Sequence, residues 1–148
     1  MKGLDIAKRI LFLVGGIMSA VNAVSFAIAS GIFFAFTTPA AKETIIKGLE
    51  DGTIHTTIQG MSNEQIATAI TNLYLALAIG FVVGMVFAII NMIVSFKARK
   101  NGTKKLFILN IVFGAISSVT CNLVAGIFGL ITYNRNHQNE EVIDYTEQ

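Results

Sequence analysis

The chain has 148 residues and a net charge of +2, with 53% hydrophobic and only 14% charged residues. Ordinary globular chains carry roughly 25% charged residues, and a small soluble domain has a large surface to cover, so this composition excludes a conventional soluble fold and points to lipid as the solvent. It also excludes a nucleic-acid-binding face, because the dense basic run at residues 97–105 is confined between two apolar blocks.

In chain order, a short start with Lys2, Asp5, Lys8 and Arg9 leads into an uncharged block over residues 10–36. That block is far longer than the roughly 7–15 apolar residues of a signal peptide, so it is read as a retained helix. The linker 37–72 begins with Thr38-Pro39, a capping hydroxyl followed by proline at the first helical position. Ile45, Ile46 and Leu49 then share one side, and Gly52 is a stop signal, which predicts a short amphipathic outer helix over 39–51. Ser62 followed by Gln65 has the spacing of a capping box. It predicts a helix that runs unbroken into the second apolar block, 73–96.

The basic turn 97–105, containing Asn101-Gly102, separates this block from a third at 106–133. The centre of the third block is polar, with Ser117, Ser118, Thr120, Cys121 and Asn122. A hairpin there would leave arms too short to cross and would bare backbone groups to lipid. No proline or double glycine marks a turn, so one long helix is expected, with a hairpin and four spans as the alternative. The expected fold is therefore all-α: a polytopic transmembrane helical bundle with three long spans in a domain 1–133, followed by an acidic flexible tail, 134–148.

Charge sets the expected orientation. The start carries a net +2, the linker 37–72 a net −2, the turn 97–105 a net +5 and the tail a net −3. By the positive-inside rule the chain belongs in the plasma membrane with its N-terminus cytoplasmic and, after three crossings, its C-terminus extracellular. The basic side chains Lys97, Arg99, Lys100, Lys104 and Lys105 are candidates for contact with anionic lipid headgroups.

No Asp, Glu, Lys, Arg or His lies inside any block, which argues against a proton pump or ion-coupled carrier. Small residues recur every four positions: Gly15, Ser19, Ala23, Ala27, Gly31 and Ala35 in the first block, Gly80 and Gly84 in the second, and Gly114, Ser118 and Gly126 around Asn122 in the third. Such ladders let helices approach closely in lipid. Each block also carries an amide, at Asn22, Asn91, Asn110 and Asn122. By depth, Asn91 is expected to meet Asn110, and Asn22 to meet Asn122 beside Ser25 and Ser118. These amides serve either as interhelical glue or as the lining of a polar pore.

Catalysis requires a nucleophile with a base, a metal, or paired carboxylates, and the sequence holds none as a cluster. His55 and His137 are isolated, and Cys121 reads as a small buried residue. The expectation is a non-enzyme without cofactor or metal. The basic start, outer linker, Lys-rich turn and final stretch Leu123-Val-Ala-Gly-Ile-Phe-Gly-Leu-Ile131 resemble the small, uncharacterised multi-span membrane proteins of low-GC Gram-positive bacteria. The resemblance implies a plasma-membrane location and an accessory or immunity role, although the acidic tail departs from it. The expected function is a non-catalytic membrane protein that binds a membrane or extracellular partner. A homo-oligomeric channel lined by Asn and Ser is the alternative. Expected partners are membrane lipid, further copies of the chain and a possible second protein, with no nucleic acid.

Overall fold

The computed structural model describes the backbone at residues 2–56, 58, 60–117 and 119–146, and side chains within that set from Gly3 to Asn136. Among the described residues the fold is all-α, with five helices: α1 Lys2–Ala35, α2 Pro39–Glu50, α3 Asn63–Lys100, α4 Lys104–Ile116 and α5 Thr120–Thr146. Two of them, α1 and α3, are long and apolar enough to cross a membrane. At 34 and 38 residues they extend about 50 Å or more, well beyond a hydrocarbon core of about 30 Å. Only 22% and 11% of their most apolar stretches are buried, unlike the core helices of a soluble protein. Their exposed side chains include Ile17, Val21, Val24, Ile28 and Ile32 on α1 and Ile79, Val83, Val86 and Ile93 on α3.

The third apolar block departs from expectation. It is not one long span but two helices, α4 and α5, interrupted at residues 117–119. Among the described residues the helices long and apolar enough to cross therefore number two, rather than three or four. The interruption is made without proline or paired glycine. Ser117 turns its hydroxyl back onto the Phe113 carbonyl, and such local side-chain bonds compete with helix continuation. The freed backbone groups find other partners: Val119 N–H donates to Gly114 O at 2.9 Å, while the N–H groups of Asn122 and Leu123 both reach Val119 O.

The chain forms two compact units, Val24–Met85 and the pair of segments Met1–Ala23 and Val86–Gln148. In the first, the end of α1 and the start of α3 are zipped by aromatic rings. Phe26 and Phe33 meet Phe81, and Phe33 and Phe36 meet Tyr74, with centroids 5.2–6.0 Å apart. Each such pair contributes about 0.5–1.5 kcal/mol beyond its area. Helix α2 opens as the sequence predicts, with Thr38 Oγ1 accepting from Ala41 N–H and Pro39 in the first turn. It closes where Gly52 adopts φ +79°, a left-handed conformation suited to glycine. Ile54 folds back over the buried Gly48, and Asp51 accepts from both the hydroxyl and the N–H of Thr53. These hydrogen bonds hold the Asp51 carboxyl below the usual range. The start of α3 carries the reciprocal cap, Ser62 N–H to Gln65 Oε1 and Gln65 N–H to Ser62 Oγ.

In the second unit, α4 and α5 form an antiparallel hairpin packed with the start of α1 and the end of α3. A Cβ added at Gly114 would lie 2.8 Å from Leu123 N, and one at Gly126 would lie 2.9 Å from Phe107 O. These two glycines, expected as one ladder on a single helix, instead sit on opposite arms, where close backbone approach requires them. Phe107 at the start of α4 stacks on Phe12 of α1 at 5.8 Å, with Lys8 Nζ above its ring. Helix α5 runs on to Thr146, into the segment expected as a tail.

Candidate functional site: a buried amide network

The hairpin tip is held by hydrogen bonds among residues that are 0–9% exposed and carry no charge. Ser19 Oγ lies at the centre. It donates to Gly15 O at 2.8 Å and accepts from Asn91 Nδ2 at 3.1 Å and Asn122 Nδ2 at 3.0 Å, which fills its valence. The second Asn91 proton goes to Ser117 Oγ at 2.8 Å, and the second Asn122 proton to Gly15 O at 3.3 Å. One turn along α3 from Asn91, Ser95 Oγ donates to Asn110 Oδ1, and Asn110 Nδ2 donates to the Asn122 carbonyl. All four helices of the unit contribute.

Two acceptors, Asn91 Oδ1 and Asn122 Oδ1, are buried without a hydrogen-bond partner among the described residues. Asn122 Oδ1 sits directly on the Cα of Gly15, where any Cβ would collide with it. A weak Cα–H contact fits that placement. Nothing in the network titrates. Among the described residues no group of three His, Cys, Asp or Glu is placed to hold a metal ion.

Three of the four amides, Asn91, Asn110 and Asn122, therefore converge, but with different partners from those expected. Asn91 and Asn110 bond to serines and backbone rather than to each other, and Asn122 meets Ser19 rather than Asn22, which is half-buried outside the network. Ser118 lies outside the described residues. Ser95 is the member that sequence reasoning missed; its position one turn from Asn91 was the available signal.

Of the small-residue ladders, Gly15 and Ser19 are buried, Ala23 is half-buried, and Ala27 and Gly31 are exposed. A Cβ added at Gly84 would lie 3.3 Å from the Phe26 ring, whereas Gly31 and Gly80 have open space where a Cβ would stand. Of the basic residues, Lys97, Arg99, Lys100, Lys104 and Lys105 are all exposed, close to the turn between α3 and α4. Cys121 is half-buried, with its sulfur 4.0 Å from that of Met18. No family model, curated protein or solved structure matches the chain.

Proposed function

We propose that the chain is a non-catalytic integral membrane protein of the accessory or immunity type. In this reading α1 and α3 cross the bilayer, and the α4–α5 hairpin enters from the side of the basic turn and returns to it. The supporting lengths are simple. Helix α4 has 13 residues, about 20 Å against a core of about 30 Å, and the apolar part of α5 is similar. Both arms stop short of crossing, as in a re-entrant element. The tail would then share the side of the turn, and by the positive-inside rule that side is cytoplasmic.

The observation that carries the non-catalytic reading is that the polar groups of the apolar segments engage one another. Ser19, Asn91, Ser95, Asn110, Ser117 and Asn122 bond to one another and to the backbone, with the Asn91 and Asn122 Oδ1 atoms left without a donor among the described residues, and in this reading the network acts as packing glue. The partner we favour is a further copy of the chain, because Gly31 and Gly80 leave helix faces open to close approach. Native mass spectrometry from a mild detergent, together with co-purification, tests this. A clean monomer that retains no second protein across a range of lipid ratios would overturn it. The channel reading draws on the two donor-less acceptors, Asn91 Oδ1 and Asn122 Oδ1. Solute flux in liposomes, abolished by Asn91→Leu, would favour it over the partner-binding role.

A further inference from the structure

The turn joining α3 to α4 borders an open surface cavity of about 410 Å³ lined by Phe96, Lys97, Lys100, Asn101, Thr103 and Leu106. Its chemistry is divided. Its lining combines two ammonium groups and two small polar side chains with an aromatic ring and an aliphatic side chain. The ring is held in place: it packs against Gly16 of α1, where an added Cβ would lie 3.0 Å away. Among the described residues the ammonium groups have no carboxylate partner. The ion pairs among the described residues are Lys8–Asp5 and Lys42–Glu64, and no acidic residue occurs between Glu64 and Glu140. Two unpaired cations beside an apolar wall call for a ligand that is anionic at one end and apolar at the other. The apolar wall also continues away from the charges. Phe96, Ile93 and Ile89 form an exposed stripe at helical spacing on α3, and Leu109, also exposed, lies one turn beyond Leu106 on α4.

We propose that this cavity is a binding site for one anionic phospholipid. The phosphate sits between Lys97 and Lys100, Asn101 and Thr103 supply further polar contact, and an acyl chain lies along Phe96 and Leu106. The proposal rests on the membrane reading above. It separates the five basic residues of this region by role: Lys97 and Lys100 line the cavity, whereas Arg99, Lys104 and Lys105 lie outside its lining. A polybasic surface attracts anionic lipid with about 1 kcal/mol per charge and little regard to position. A site makes two particular lysines count more than two neighbours of equal charge.

The test uses the full chain, extracted in mild detergent and measured by native mass spectrometry. It is titrated with phosphatidylglycerol, with phosphatidylcholine of the same acyl chains, or with inorganic phosphate. The wild type should retain phosphatidylglycerol over phosphatidylcholine. The Lys97→Gln/Lys100→Gln pair should weaken that binding by roughly 30-fold, the equivalent of two near-surface charges. The Lys104→Gln/Lys105→Gln pair should change it less than threefold. Equal losses in both pairs would overturn the site in favour of a diffuse field, as would displacement of the lipid by inorganic phosphate at matched concentration. Detergent-extracted protein with no phosphatidylglycerol preference would overturn the lipid site alone. Recovery of the chain in the soluble fraction without detergent, read before any lipid is added, would overturn the membrane reading and the site with it.

Discussion

Gly15→Ala adds a single methyl group, and the structure specifies what it meets. The new Cβ would collide with Asn122 Oδ1, would lie 2.5 Å from Asn122 Cγ and would approach the Asn122 backbone nitrogen at 3.2 Å. The amide is the far end of a short side chain, but it is not free to move. Its Nδ2 donates to Gly15 O and to Ser19 Oγ, and the backbone behind it accepts from Asn110. Relief therefore requires either swinging the amide away, which breaks two hydrogen bonds, or pushing α5 off α1. Overpacking of this kind costs about 1–3 kcal/mol. Interhelical hydrogen bonds in membranes average about 0.6 kcal/mol each. The combined loss should be about 2–4 kcal/mol. The assay is reversible unfolding in mixed micelles, followed by helix signal. Gly31→Ala and Gly80→Ala are the matched controls, since nothing stands within 4 Å of either new methyl. Both should be neutral or slightly stabilising, because alanine is the better helix former. If Gly15→Ala matched the two controls, the tight seating of Asn122 on α1 would be refuted.

In a Cys121→Ala background, Gly52→Cys should react with an impermeant thiol reagent in intact cells, whereas Asn101→Cys and Asn136→Cys should not; labelling at Asn136 would remove the re-entrant hairpin. Gly84→Leu should lower the unfolding midpoint of the monomer by forcing aside the Phe26 ring, which would lie 3.3 Å from the new Cβ, while Gly80→Leu should leave the monomer unchanged and reduce only self-association in native mass spectra. The lowered Asp51 pKa, caused first by the Thr53 hydroxyl and then by the Thr53 N–H, makes the stabilisation complete above the ordinary carboxylate range and lost as pH falls through the lower folded value; the Asp51 carboxyl resonance should titrate low in the wild type and part-way back toward normal in Thr53→Val. Replacing the capping pair, Ser62→Ala with Gln65→Ala, should cost about 1 kcal/mol and raise amide exchange at the first turn of α3 without affecting α4; unchanged exchange there would refute the cap.

What was legible in the sequence was local. Thr38-Pro39, Gly52 and the Ser62–Gln65 pair carry their geometry in a few adjacent residues, and α2 and the start of α3 begin and end accordingly. The aromatic zipper was equally available. Phe26 and Phe33 are seven residues apart, as are Tyr74 and Phe81, which puts each pair on one helix face. The interruption of the third block was legible only as the alternative hairpin at its polar centre, because part of its cause is not local. Ser117 and Val119 do not break a helix on their own. The break is held by Asn91 on another element and by close contact at Gly114 and Gly126. The same distance hid the pairing of the amides. Equal depth along two helices does not fix rotation about their axes, so Asn91 turned to Ser19 and Ser117 rather than to Asn110.

The network and the interruption explain each other. In hydrocarbon an unpaired backbone group costs several kcal/mol, so an irregular segment at membrane depth survives only where protein surrounds it. Here four N–H groups at the tip, those of Ser117, Val119, Asn122 and Leu123, donate to carbonyls within six residues. What remains is to keep the tip enclosed. A purely apolar contact would do this weakly in lipid, where hydrocarbon is an equally good solvent for a leucine and only close packing and polar bonds favour protein over lipid. One hydroxyl on α1, one amide on α3 and one on each hairpin arm supply both: small residues that admit close approach, and donors whose partners lie on other elements. On the proposed membrane reading, Asn91, Asn110 and Asn122 are the amides that close a hairpin inside the bilayer, and the open faces at Gly31 and Gly80 are where a further copy of the chain is proposed to dock.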